Sequence, residues 1–411
     1  MDFGIASECR FIKPVSFIFF FHADQCLGYA IKCIYRIEQI IAKCRLQFVV
    51  CFCGTYYGLN IEVVIFPGKQ MRAAIFSTHG SSEVMEIQDL EAPVPGPQEV
   101  RIEVRATAMN PLDLWARRGL PFEIPMPHIG GSDLAGIVDL AGSNVDESVI
   151  GSKVVVNPSL NYEWYESRNP GIGLEKKPFQ ILGEHTQGGM AEYAIAPYEN
   201  LLQIPEDVSF EVAAAAPVAY VTAWHALVSR GKLRPGEKIL ITGASGGVST
   251  AAIQIAKLIG AKVYAVTRGP EKMARIKAMG VDHVYDRGLG DFSQKLWEDT
   301  EKRGVNVVLD SVGEPMWEGC FRSLGQSGRL LVFGSTGGSV VTSDLRSIFW
   351  KQLSIIGCTM GTQGEFERVM QLVFDGTLKP EIHSVLPLEK IREAHDLLEM
   401  GEVFGKLVLV P

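Results

Sequence analysis

The chain reads as an α/β protein centred on a doubly wound parallel sheet, joined to a second, β-rich domain and preceded by a poorly patterned stretch. Two observations carry this reading. From Lys238 to Arg268 the chain runs strand, glycine turn, helix, strand, and from about Val208 onward helices alternate with apolar strands. Before that point, from Met71 to about Asp207, short alternating strands are separated by turns.

The central unit explains itself residue by residue. Lys238-Ile-Leu-Ile-Thr242 is a short apolar run of the kind a parallel sheet buries on both faces, and Val248, Ala252, Ile255 and Ile259 recur at helical spacing after it. Between them lies Gly243-Ala244-Ser245-Gly246-Gly247-Val248-Ser249. A glycine has no Cβ, so Gly246 and Gly247 let phosphate oxygens reach the amides that open the helix, and the turn reads as a dinucleotide pyrophosphate cradle. A tight turn that binds nothing is the bland alternative, against which the flanking strand and helix speak. Gly260 closes the helix, and Lys262-Val-Tyr-Ala-Val-Thr267 is the second strand. Ser249 stands where a third glycine is usual; it is small enough to fit, with its hydroxyl expected to bond a carbonyl one turn earlier.

The end of the second strand selects the dinucleotide. An acid there would bind the adenosine ribose and repel a 2′-phosphate, but the residues are Thr267-Arg268-Gly269-Pro270-Glu271-Lys272. Arg268 as a planar fork and Lys272 as a point charge suit a 2′-phosphate, which favours NADPH over NADH. In the competing reading both cations are solvated and Glu271 takes the ribose.

At 411 residues with 42 glycines and 47% hydrophobic residues, the chain has material for two globular domains. Its formal net charge is −8, a surface that nucleic acid would not choose. Six of the eight cysteines fall before Met71, leaving Cys320 and Cys358, so the main body needs no disulfide and fits a reducing cytosol. Residues 1–70 hold the run Phe17-Ile-Phe-Phe-Phe21 and a second apolar stretch from Leu46 to Phe66, and no clear strand or helix pattern. They read as a dispensable or non-native extension, with a membrane-associating segment or integral structure as alternatives. Any membrane role rests on them alone. Met71-Arg-Ala-Ala-Ile-Phe76 reads like a natural start followed by an edge strand.

Several blocks then appear in order: Asn110-Pro-Leu-Asp113, Gly131-Ser-Asp-Leu-Ala-Gly136, Gly189-Met-Ala-Glu-Tyr193, Thr222-Ala-Trp-His225, the glycine turn, Asp310-Ser-Val-Gly313 and Phe404-Gly-Lys-Leu-Val408. From Met71 to Pro411 this order resembles the medium-chain dehydrogenase/reductase superfamily, in which a GroES-like catalytic domain is split around a Rossmann domain. The resemblance implies an extension over 1–70, a GroES-like catalytic domain over 71–207, a Rossmann NADPH-binding domain over 208–357 and a return to the catalytic domain over 358–411. It also implies a homodimer through an edge strand near Leu353 to Gly357.

Zinc alcohol dehydrogenases and zinc-free quinone or enone reductases of that superfamily differ at three places. A catalytic zinc takes three protein ligands and an open fourth position. Where the zinc branch has Cys, a hydroxyl residue and Asp, this chain has Asn110, Leu112 and Asp113; where that branch has Gly-His-Glu it has Gly131-Ser132-Asp133; and Val218 replaces the second Cys, four residues before Thr222. No metal ligand set is therefore expected. The lobe between Asn157 and Gly188 contains no cysteine, and Tyr162, Trp164, Tyr165, Glu184 and His185 are expected to pack that loop or line a lid. Asp133 and His128 are expected to be structural, His225 a packed core or cap residue, and Cys320 and Cys358 small core fillers.

By resemblance the activity is NADPH-dependent reduction of a small-molecule quinone or α,β-unsaturated carbonyl. Asn110 would contact nicotinamide ribose or substrate and polarise the latter, and Thr222 would lie in the nicotinamide region. Gly243, Ser245, Gly246, Gly247, Val248, Arg268, Lys272 and Arg287 would hold the phosphates and adenosine end; Ser311, Val312, Phe333, Gly334, Gly405 and Lys406 would complete the strand-end and nicotinamide pocket. No residue stands out as proton donor. Two other readings stay open: a zinc alcohol dehydrogenase with displaced ligands, and a non-catalytic NADPH-binding protein.

Overall fold

The computed structural model describes residues 69–162 and 178–411, together with the backbone of three strands within 17–66. Trp164 and Tyr165 lie outside the described residues, as do the side chains of the six N-terminal cysteines. The chain divides into two units, Met1–Gln70 and Met71–Pro411. In the first, Phe17–Phe21, Gln47–Thr55 and Gly58–Phe66 form an antiparallel sheet with the last strand in the centre. The extension stands apart from the two expected domains, as the fold class predicts. Consecutive apolar residues such as Phe17 to Phe21 hide the period-two alternation by which a strand is recognised.

The second unit holds the doubly wound sheet. Six strands run in the order His283–Asp286, Lys262–Thr267, Lys238–Ile241, Val305–Asp310, Leu324–Val332, Ser354–Gly357, and every pairing is parallel. Successive side chains face opposite sides, and both sides are covered: Ile239 and Ile241 pack into the cluster that holds Ala252 and Ile255, whereas Leu240, Tyr264 and Val308 pack with Leu296 and Leu330. Burial on both faces is why these strands read as unbroken apolar runs. Each fully buried Leu, Ile or Val contributes about 1.5–3 kcal/mol.

The helix Gly247–Ile259 follows the first of these strands. It ends at Gly260, whose φ of +88° favours a residue without a Cβ. Ser249, Ala251, Ala252 and Ala256 are buried, so small side chains form the face laid on the sheet. The Ser249 hydroxyl donates to the Thr242 carbonyl at 3.0 Å. That carbonyl belongs to the strand end, not to the preceding helical turn as expected, because the side chain faces the sheet.

Around this lies a mixed sheet in the order Leu201–Gln203, Lys153–Val156, Asp133–Ala141, Glu99–Ala108, Lys406–Val410, Ile382–Pro387, with Tyr193–Pro197 also paired to Glu99–Ala108; every pairing is antiparallel except that of Ile382–Pro387 with Lys406–Val410, which is parallel. The C-terminal strand thus returns to the first half of the unit, Val408 opposite Ala108. Cys320 and Cys358 are buried and unbridged. Among the described residues, no helix is long and apolar enough to cross a membrane.

Candidate active site

The parallel strands end together at one edge of their sheet. The buried Asp310 carboxylate ties that edge, accepting from Thr242 Oγ1 at 2.5 Å and from the Gly313 amide at 2.9 Å. Gly243 adopts φ +51° beside Ser311, and a Cβ on Gly334 would lie 3.1 Å from the Ser311 carbonyl oxygen. The expected residues Gly243, Ser311, Val312, Phe333 and Gly334 are therefore neighbours: the Phe333 amide donates to Asp310 O and the Val312 amide to Asp310 Oδ1.

The glycine turn meets the C-terminal return directly. The Gly405 amide donates to Ser245 O at 2.8 Å, and Gly246 and Gly405 form an isolated bridge. A Cβ on Gly247 would lie 2.7 Å from Lys406 Cδ. The helix opens at Gly246 with no side-chain cap, so its first amides are left for an outside acceptor. An anion suits that end of a helix, which fits a dinucleotide pyrophosphate held by Gly246, Gly247 and Val248.

Below the turn sits a buried polar cluster. Asn110 precedes the helix Pro111–Arg118, Asp133 opens a barrel strand, and Lys406 opens the last strand. The Lys406 ammonium donates to Asn110 Oδ1 at 2.5 Å and to Asp133 Oδ2 at 2.7 Å. Asn110 Nδ2 donates to Asp133 Oδ2 at 2.9 Å, and Asp133 Oδ1 accepts from the Val218 amide at 2.7 Å. All three side chains are at most 4% exposed. Asp133 was expected to be merely structural; it is the hub of the cluster, because the fold brings the C-terminal lysine onto it. Thr222 lies one turn beyond Val218, its hydroxyl against Met360 Sδ at 3.7 Å.

Two further acids border the cluster. Asp113 is buried, accepts from the Asn110 and Gly131 amides, and is pushed up to about 6 by burial. Glu184, expected to pack a loop, is buried and pushed up to about 7 by burial and then by the charge of Asp113. His225 does pack in the core: its Nδ1 contacts Glu365 at 3.0 Å and its Nε2 the Tyr162 hydroxyl at 3.1 Å. His128 is fully buried with Nε2 on the Gly183 carbonyl.

At the adenosine end the cations part company. Arg268 and Arg287 are exposed, whereas the Lys272 ammonium donates to the Gly401 carbonyl and is half-buried. That bond uses one of the three N–H bonds of Lys272, and the charge of Arg287 acts on it, so the two cations are near one another. The Asp286 carboxylate, against the same turn, is occupied by the Gly269 and Gly288 amides.

Fold and site together define a nicotinamide-dependent oxidoreductase. Residues 96–206 match the alcohol dehydrogenase GroES-like domain, and residues 247–375 match a domain described as zinc-binding dehydrogenase. The quinone oxidoreductase of Lama guanicoe is 31% identical over 352 residues, covering 83% of this chain and 98% of the relative. The acryloyl-coenzyme A reductase of Sulfurisphaera tokodaii is 30% identical, covering 81% of this chain and 98% of the relative. A solved structure described as an NAD-dependent alcohol dehydrogenase is 38% identical, with a TM-score of 0.76, covering 83% of this chain and 99% of its own. The chain belongs to the medium-chain dehydrogenase/reductase superfamily.

The residues at the three zinc positions do not suit the metal. Asn110 offers an amide, Ser132 a hydroxyl and Val218 an alkyl group, and the Lys406 ammonium already sits between Asn110 and Asp133, where it would repel a second cation. Among the described residues, no three His, Cys, Asp or Glu side chains cluster so as to hold a metal ion.

Proposed function

We propose that the chain reduces a quinone or an α,β-unsaturated carbonyl with NADPH, without a metal. The observation that carries this is the Lys406 ammonium, held by Asn110 and Asp133 against Gly247 of the dinucleotide turn. The bound cofactor would supply the hydride. The chain supplies position and charge. An ammonium has three N–H bonds and two are used, so the third is left for an oxygen entering the pocket, where its charge favours the oxyanion that develops on reduction. Asn110 has its amide committed to Asp133 and Ala108, so it positions Lys406 and does not polarise the substrate itself. The relatives that reduce a quinone and an acryloyl thioester support an acceptor whose charge develops on oxygen.

Arg268, exposed at the end of its strand where no Asp or Glu stands, supports NADPH over NADH, with Glu271 in the next helical turn as the competing ribose acceptor. The two buried thiols of the main body support a reducing cytosol. We assign a homodimer to the sheet edge at Ser354–Gly357, which among the described residues has a strand on one side only. The test is oxidation of NADPH and NADH by the full chain across quinones, enals, enones and acyl-CoA esters, with Arg268→Ala beside the wild type. NADPH should be preferred, and Arg268→Ala should remove about tenfold or more of that preference, the worth of one charge-assisted contact. Faster turnover with NADH, or a stoichiometric zinc that turnover requires, would overturn this reading.

A further inference from the structure

The short run that delivers Lys406 to the pocket is gripped by a helix of the dinucleotide-binding half. In Phe404-Gly405-Lys406 the Lys406 amide donates to the Glu381 carbonyl at 2.7 Å, and the Gly405 amide donates to Ser245 O at 2.8 Å. Gly405 leaves no slack between them, since any Cβ there would lie 2.0 Å from that same Glu381 carbonyl oxygen. The helix Pro270–Ala278 meets this run through Arg275. Its guanidinium carbon sits 3.8 Å from the centroid of the Phe404 ring, and its Nη2 is 3.6 Å from Glu381 Oε2. One turn earlier on the same helix face, the Lys272 ammonium donates to the Gly401 carbonyl.

Arg275 therefore touches both residues that fix the root of Lys406. Glu381 supplies the carbonyl on which the Lys406 amide rests, and it directly precedes Ile382, the residue paired in parallel with Lys406. Phe404 stands two residues before Lys406, and its ring is buried. A guanidinium is planar, so its face can lie on an aromatic ring while its edge points at a carboxylate; an ammonium is a point charge and cannot do both. Asn110 and Asp133 hold the tip of Lys406, and Arg275 holds the backbone from which the side chain starts. Arg275 is itself 39% exposed, so its effect on the pocket runs through the segment it grips.

We propose that Arg275 is a positioning residue for Lys406, clamping Phe404 and Glu381 so that the ammonium is aimed at the acceptor oxygen. This rests on reading the site as a hydride-transfer pocket in which Lys406 favours the developing oxyanion. A group that stabilises a transition state must be held in place, because misplacement by about 1 Å costs up to about a hundredfold in rate. Loss of the clamp therefore acts on turnover and not on the affinity for the cofactor.

The test compares the full chain with Arg275→Met, which loses both charge and plane, and with Arg275→Lys, which keeps the charge alone. Arg275→Met should lower kcat with a quinone about tenfold and leave the KM for NADPH within about twofold, with Arg275→Lys between it and the wild type. The comparison is then repeated in the Asp133→Asn/Lys406→Met background, where both charges of the buried pair are removed together. No ammonium remains there to be positioned, so adding Arg275→Met should change kcat by less than about twofold. Hydrogen exchange gives a reading independent of turnover: the Lys406 amide should exchange at least about tenfold faster in Arg275→Met, with the amides of Lys238–Ile241 unchanged. Should Arg275→Met fail to fold, Arg275→Lys carries the same readings. An unchanged kcat, or an equal loss of kcat with and without Lys406, overturns the assignment and leaves the hydride-transfer reading intact. A raised KM for NADPH at constant kcat also overturns it, by making Arg275 a cofactor contact, as does a Lys406 amide whose exchange is unchanged. A wild type that reduces no acceptor overturns the hydride-transfer reading and, with it, the purpose of the clamp.

Discussion

Lys406 and Asp133 are 273 positions apart in sequence and 2.7 Å apart in space. Each is tolerable inside the protein only because of the other, since an unpaired buried charge costs several kcal/mol. Lys406→Met should therefore destabilise the protein by about 3–5 kcal/mol, read from the urea midpoint. Adding Asp133→Asn should recover most of that loss, because the neutral amide keeps the acceptor for the Val218 amide without leaving a charge. A double variant as unstable as the single one would show that Lys406 acts through packing instead. The same separation explains what the sequence left illegible. Lys406 and Asn110 stand out as site residues from their own motifs. Asp133 does not, because its partner arrives from the far end of the chain. Lys272 was legible as a cation, but no spacing rule could show that the Gly401 carbonyl accepts one of its N–H bonds.

The elements were legible wherever a single period dominates. Lys238–Ile241 and Lys262–Thr267 are buried on both faces, so an apolar run bounded by glycine turns is their full signature. The helix Gly247–Ile259 adds a test of why its first glycine is there. Gly246 has φ −76° and ψ 160°, a conformation open to any residue, and a Cβ on it would meet only the Gly243 carbonyl at 3.4 Å. The fold does not need a glycine at that point; a phosphate approaching the helix amides does. Gly246→Ala should leave stability within about 0.5 kcal/mol, while weakening NADPH binding at least tenfold, about 1.4 kcal/mol. Gly405 is the contrast, with φ +81° and the Glu381 carbonyl oxygen 2.0 Å from any added Cβ, so Gly405→Ala should unfold the return strand as well as weaken binding. Calorimetric binding and thermal melts on the pair separate the two roles, and a destabilised Gly246→Ala would return that glycine to the structure.

For the unit Met71–Pro411 as a whole, the parallel sheet has two edge strands, His283–Asp286 and Ser354–Gly357. Among the described residues no strand pairs beyond Ser354–Gly357, and the edge is flanked by the helix Leu345–Lys351, on which Leu345, Phe349 and Trp350 are 72%, 64% and 79% exposed. Ile355 on the edge itself is 47% exposed. An open strand edge beside a patch of large apolar side chains is a surface that a second copy can cover, each subunit presenting the same face about a two-fold axis. Light scattering at micromolar concentration should therefore give twice the chain mass, and Ile355→Glu combined with Trp350→Glu should give the single mass, because both bury like charges with no counter-charge in that contact. Asn110, Asp133, Lys406 and the glycine turn come from one chain, so the monomeric variant should keep its turnover within about twofold, as surface substitutions away from a site do. A wild type that scatters as a monomer would overturn the assignment of this edge, and a monomeric variant without activity would mean that the pocket depends on the partner after all.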